Sequence, residues 1–240
     1  MTSSHKTERL KLSTFAADRL ERSRQAAPQV FERLREMIIS LSLTPGTVLN
    51  RLTLQQEFGL SSTPIRDALL RLQEEGLVDI FPQHATVVSP IDLTVAHQAH
   101  FLRRSLELEI VRTLALAPGP RLLARLQGFL VQQQTLLEAA DFEAFSIADQ
   151  AFHQHLYEVA KMNEMWALVR SRSGHIDRLR RLHLPTPGKA QEILRQHRLI
   201  VQAIADGQPE EAQKHLRHHL SGTLANLDRL RAKYPGYVRS

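Results

Sequence analysis

The chain contains no cysteine. Disulfides, thiolate metal ligands and a cysteine nucleophile are therefore excluded, which fits a reducing cytoplasm. It also lacks any run of about 18 apolar residues, the length needed to cross a bilayer. Thr2 to Arg24 are polar and charged where a signal peptide would need an apolar centre. These absences lead to the expectation of a cytoplasmic protein with no membrane partner, in which residues 1–25 form a flexible arm. A strongly one-signed charge is missing from the N-terminal part. The net charge is +6 overall, but residues 1–90 hold 11 Lys and Arg against 10 Asp and Glu. The basic excess favours an approach to nucleic acid without locating the contact. Arg170, Arg172, Arg178, Arg180 and Arg181 read as a solvated helix face.

What is present is most informative between Leu52 and Asp79. Leu52, Leu54 and Phe58 give a short helix an apolar face, and Gly59 can end it with positive φ. Leu60 plugs the turn. Ser61 is a good N-cap, and Pro64 falls in the first turn of the next helix, where backbone N–H groups lack helix partners anyway. Ile65, Ala68, Leu69 and Leu72 repeat at helical spacing and belong to a core. Ser62, Thr63, Arg66 and Asp67 lie on the opposite side. An ordinary amphipathic helix pair would look similar. The next residues discriminate: Gly76 ends the helix, Leu77 to Phe81 reads as a strand, Pro82 to Ala85 as a turn and Thr86 to Val88 as a second strand. A helix-turn-helix with a hairpin after it is a winged helix. Its second helix would enter the major groove by its first turn. Arg66 can pair bidentately with guanine, and Ser61, Ser62 and Thr63 suit phosphate contacts.

Beyond Ser89-Pro90, from Asp92 onward, only helical patterning is visible. Helices are expected over about 92–115, 121–139, 141–160, 163–183, 190–205 and 209–232, making an all-α antiparallel bundle of six. The fold class is thus mainly α: a winged helix-turn-helix at 26–89, a helical domain at 90–232 and a tail at 233–240.

The bundle carries a testable set of ligands. Asp149 and His153 are four apart and share a helix face. His197 and His219 each lie 11 residues from Gln208, in the turn of an antiparallel hairpin, and so stand at one height. Three imidazoles and a carboxylate suit Zn²⁺, Ni²⁺ or Mn²⁺. With 12 histidines in the chain, His155, His215 and His218 among them, chance pairs are easy to find. Spacing alone leaves that alternative open.

Two segments carry a resemblance. From Val30, V-F-E-R-L-R-E-M-I-I-S-L-S-L-T-P-G-T-V-L, then S-S-T-P-I-R-D-A-L, E-G-L-V and V-V-S-P resemble the GntR family of bacterial transcription regulators. Three places depart from the pattern. Ser62 stands where arginine is usual, His84 and Ala85 stand where the wing often has arginine and usually glycine, and Arg51 occupies a commonly acidic position. Arg51 is expected to supply part of the DNA-backbone contact that an arginine at position 62 would make, and His84 to lie at the wing contact. From about Asp92, R-R-S-L-E-L-E, D-Q-A-F-H, H-R-L-I-V-Q-A-I-A-D-G and A-Q-K-H-L-R-H-H-L resemble the FCD domain of the FadR branch, with six helices as in the VanR-type subgroup. The resemblance implies a divalent metal, Zn²⁺ foremost, on Asp149, His153, His197 and His219, and selects His219 over His218. It implies Arg103 at an effector cavity and a small carboxylate effector. It also implies a homodimer on a palindromic double-stranded operator, released when the effector binds. Two alternatives stand beside this reading: a regulator whose metal is purely structural, and a metal-dependent hydrolase or lyase. The second finds no separate general base or nucleophile and leaves the winged helix unexplained, so no enzyme is expected.

Overall fold

The computed structural model describes Glu21 and residues 25–239. The expected N-terminal arm lies almost wholly outside them. The N-terminal part holds α1 (Ala26–Ile39), α2 (Arg51–Phe58), α3 (Ser62–Glu74), β1 (Val78–Phe81) and β2 (Ala85–Val88). Val30, Leu34 and Ile38 of α1 pack against Ile65, Ala68, Leu69 and Leu72 of α3, with Leu77, Val78 and Val88 closing the core from the sheet side. The apolar spacing read for α3 is therefore its buried face. Gly59 adopts φ +64° as α2 ends.

β1 and β2 pair antiparallel, with Phe81 opposite Ala85. The wing turn between them is built without glycine. Pro82 precedes Gln83, which takes φ +62°, and His84 N–H donates to the Phe81 carbonyl at 3.1 Å. That is the type II pattern, with its positive-φ position at Gln83 rather than at Ala85. Leu52 departs from expectation, being 69% exposed. Leu54 and Phe58 are four apart and share a face; Leu52 lies two residues before Leu54 and so points to the other side.

The helical part comprises α4 (Leu93–Leu116), α5 (Pro120–Glu138), α6 (Phe142–Val159), α7 (Asn163–Arg172), α8 (Gly174–His183), α9 (Lys189–Ala205), α10 (Pro209–Ser221) and α11 (Leu227–Lys233). Its core joins α4, α5, α6, α9 and α10 through Val111, Leu126, Phe152, Ile200 and Leu216. Two expected helices are each divided. The fourth breaks at Ser173, whose Oγ donates to the Arg170 carbonyl and lies 2.6 Å from Asp177 Oδ2. Next to it Gly174 lets Leu77 approach so closely that an added Cβ would sit 2.6 Å from Leu77 Cδ2. The sixth breaks after Ser221 into a 3₁₀ turn and α11.

Within the segment expected as a tail, Val238–Arg239 form a short strand. β3 (Ile91–Asp92) and β4 (Val238–Arg239) pair in parallel, and Ile91 N–H donates to the Tyr237 carbonyl at 2.7 Å. The chain end therefore straps the segment joining the two parts. The expected solvated arginine face holds only in part: Arg172 is exposed and Arg170, Arg180 and Arg181 are half-buried. Arg178 is fully buried, and its Nη1 donates to the Ser89 carbonyl at 2.7 Å. α8 is enclosed because α1, α4, β3 and α11 pack around it.

Candidate functional site

Asp149, His153, His197 and His219 come together, with one potential ligand atom from each lying within 4.8 Å of the others. α6 supplies the first two, four residues apart. α9 and α10 supply the others from either side of their turn. His219 Nε2 lies 3.0 Å from His153 Nε2 and 3.3 Å from His197 Nε2. Asp149 Oδ1 lies 3.5 Å from His197 Nε2 and 4.0 Å from His153 Nε2. Bonds of about 2.1 Å in a tetrahedron give ligand separations of about 3.4 Å, so these spacings fit one ion. His218, beside His219, points elsewhere and lies 3.4 Å from Glu192.

The surroundings prepare these groups for a cation. His153 Nδ1 is 2.9 Å from Glu107 Oε2, and His197 Nδ1 is 2.8 Å from Gln133 Oε1. The His197 Nδ1 proton is directed at the Gln133 oxygen, which leaves His197 Nε2 its lone pair for the centre, while His153 Nδ1 lies beside the Glu107 carboxylate without an aligned hydrogen bond. Burial pushes His197 down to about 3 and His219 well below the ordinary histidine range, so both stay neutral. Burial alone would raise the Asp149 pKa, but the facing His153, His197 and Arg103 outweigh it and lower it. Asp149 Oδ1 and His219 Nδ1 are buried without hydrogen bonds. An orphaned carboxylate oxygen facing three imidazole lone pairs is a donor set that a divalent cation satisfies.

Arg103 donates its Nε to Glu107 Oε1, and both side chains are buried. Burial would raise the Glu107 pKa, yet Arg103 and His153 bring it down to about 2. Arg103 thus stands behind the cluster, holding the carboxylate that holds His153. Sequence reasoning misses Glu107 and Gln133. Glu107 has a signal: with Arg103 it occupies the buried stripe of α4 that runs through Ala99, Ile110 and Leu114.

A cavity of about 420 Å³ opens beside Asp149 and His219. Its cations are Arg35, Arg170, Arg180, Arg181 and Lys189, and Arg103 is not among the lining residues. Part of its wall comes from α1, through Glu32, Arg35, Glu36, Ile39 and Ser40. The N-terminal part therefore walls one side of the cavity of the helical part. Arg35 Nε pairs with Glu75 Oε2 at 2.6 Å, and its Nη2 donates to the Arg170 carbonyl.

In the N-terminal part, Arg51, Ser61, Ser62, Thr63, Arg66 and His84 are all exposed. Arg51 opens α2 beside Asn50, whose Oδ1 accepts from Leu52 N–H and Thr53 N–H. Ser61 is the N-cap of α3 and makes no side-chain capping bond, so its hydroxyl and the first amides of α3 are available to an anion.

Residues 26–88 match the bacterial regulatory proteins of the gntR family, and residues 98–222 match the FCD domain. An HTH-type transcriptional regulator in an unstable DNA locus of Streptomyces ambofaciens is 34% identical over 86% of this chain and 86% of its own. The HTH-type transcriptional repressor RspR of Escherichia coli K12 is 26% identical over 85% of this chain and 89% of its own. Escherichia coli McbR/YncC shares the fold at a TM-score of 0.73, with 23% identity over 88% of this chain and 99% of that one. The chain belongs to the gntR family of bacterial regulators, in the group that carries an FCD domain. It is a ligand-responsive DNA-binding transcription regulator, not an enzyme. Among the described residues no helix is long and apolar enough to cross a membrane.

Proposed function

We propose that this regulator binds a small organic acid at a divalent metal, Zn²⁺ by preference, held by Asp149, His153, His197 and His219, and that the acid releases it from DNA. The observation that carries the reading is the convergence of those four ligand atoms at the edge of a cavity walled partly by α1. The metal, when bound, supplies a positive centre for a carboxylate. Glu107 orients His153, Gln133 orients His197, and Arg103 secures Glu107.

A homodimer presents Ser61 to Arg66 of each α3 to half-sites of a palindrome, with Arg51 and His84 at flanking phosphates. Only differential affinity between two arrangements lets a ligand shift DNA binding. Here the source of that difference is α1, because any movement of α1 relative to α8 changes the cavity wall. The cavity also favours this reading over a purely structural metal, since a site that only stabilised the bundle would not need a space of ligand size beside it.

The test measures the binding of zinc-loaded protein to its selected operator by fluorescence anisotropy, with and without small carboxylates. The H197A/H219A double variant is measured in parallel. Loss of the carboxylate response in the variant, with folding intact, is expected. A full response in the variant would refute the metal-coupled reading.

A further inference from the structure

The cavity lining balances five cations against five acids, but not every cation is fully matched. Arg35 is taken by Glu75, and Arg181 lies 3.4 Å from Glu143. Asp177 is shared: its Oδ2 takes Arg170 Nη1 at 2.6 Å and lies 2.6 Å from Ser173 Oγ, while Arg180 reaches only Oδ1, at 3.3 Å. One carboxylate thus serves two guanidiniums. Among the described residues Arg180 has a single side-chain hydrogen bond for its five N–H donors. Lys189 lines the same wall and forms no ion pair or side-chain hydrogen bond among the described residues. Its Nζ is packed against Gly222, where an added Cβ would lie 2.6 Å away. Asp149 contributes one negative charge toward a divalent ion. The acids Glu32 and Glu36 are on the α1 wall, and Glu36 pairs with Arg33.

We infer that Arg180 and Lys189 form a second anion-binding subsite in this cavity, so that the effector is a small acid with two anionic groups, a dicarboxylate. One group is received at the metal end beside Asp149 and His219, the other by the underused Arg180 guanidinium with Lys189 beside it. Ile39, Ile147, Ile193 and Leu220 supply apolar walls between and around these charges, which suits a short hydrocarbon spacer. The sequence resemblance points to Arg103 for the effector; the cavity assigns recognition to α8 and α9. This inference rests on the proposed metal-acid site and narrows its ligand.

The test is calorimetric titration of zinc-loaded, full-length protein with paired acids of equal carbon number: succinate against butyrate, and glutarate against valerate. At least one diacid is expected to bind about tenfold or more tightly than its partner, the gain of one charge-assisted contact. Arg180→Gln is expected to bring the diacid to the level of the monoacid with zinc content unchanged, and Arg180→Lys to keep part of the preference. Circular dichroism checks folding, and Lys189→Gln, at a less buried position, provides an independent variant expected to weaken the preference. Equal binding of diacids and monoacids overturns the subsite and leaves the metal-acid site standing. So does a preference that survives in folded Arg180→Gln. Binding of neither class overturns both.

Discussion

Arg35 of α1 and Glu75 at the end of α3 form an ion pair at 2.6 Å, and the same guanidinium donates to the carbonyl of Arg170 at the end of α7. One side chain thereby ties α1 and α3 to the helical domain, on the wall of the cavity. Arg35→Met would keep the aliphatic stem but leave Glu75 and the Arg170 carbonyl without their donor. An unsatisfied, mostly buried acceptor costs about 1–3 kcal/mol, roughly 3–10 °C in midpoint. Calorimetry of the metal-free protein is expected to show that fall. An unchanged midpoint would mean that the pair contributes nothing to holding the two parts together.

Glu107 Oε2 lies 2.9 Å from His153 Nδ1, within reach to hold the ligating ring once a small ring rotation aligns the bond. Glu107→Gln should keep the helix and weaken zinc affinity about 10–100-fold, as loss of such a supporting group typically does. Competition against a chromophoric chelator reads this directly. Unaltered affinity would show that His153 is not oriented through Glu107. Arg103 loses its partner in the same variant, so a comparison with Arg103→Met separates the two effects.

The sequence speaks most clearly where periodicity and turn chemistry act locally. α3, the hairpin and the four candidate ligands derive from spacings within one helix or across one turn, and the structure brings Asp149, His153, His197 and His219 together. It is silent where burial depends on what arrives from far away. α8 reads as a polar, arginine-rich helix, yet Arg178 is enclosed because Ser89 and His175 supply its partners. Gln133 meets His197 across 64 residues, and no local pattern marks such a pair. The wall contributed by α1 to the cavity is of the same kind.

On DNA, Arg66 and Arg51 should separate by salt dependence. Arg66 is exposed on the first turns of α3. If it reads a base, Arg66→Ala costs about 1–3 kcal/mol on the best operator and relaxes preference at one base pair. If Arg51 contacts phosphate, Arg51→Ala weakens all sequences alike and reduces the logarithmic salt slope by about 1. Anisotropy titrations over a range of salt concentrations on selected and scrambled duplexes distinguish them. Identical slopes for wild type and Arg51→Ala would remove Arg51 from the interface.

The strap formed by β4 makes a further prediction. Leu230, Tyr234, Tyr237 and Val238 pack with Ile91, Leu179 and Leu41, so the chain end touches the joining segment, the sensor and the end of α1 together. Ending the chain at Lys233 removes the Ile91–Tyr237 hydrogen bond and uncovers Ile91, which is fully buried. The loss of this apolar cover should cost about 2 kcal/mol or more. Limited proteolysis is expected to cut the truncated chain between 88 and 93 where the intact chain resists. Equal resistance would make the strap incidental.

Acid should loosen the same joint. Burial pushes His175 down to about 4, and Arg178 adds to the shift. Its Nδ1 accepts from Asp92 N–H at 2.9 Å, so a protonated ring would lose that bond. The folded-state pKa lies below the unfolded value of about 6.5, so the unfolded chain takes up the proton first. The contribution is complete above pH 6.5 and is lost as pH falls from there toward 4. Between pH 7 and 5 this one group is worth about 2 kcal/mol, roughly 4–8 °C. Carboxylates with lowered pKa, such as Asp92 and Asp177, act in the same direction but only at lower pH. His100 and His183, also pushed down to about 4 by burial, share the window. His175→Gln should therefore flatten the pH 5–7 dependence of the midpoint without abolishing it. A variant as acid-sensitive as the wild type would show that His175 takes up its proton without opening the joint.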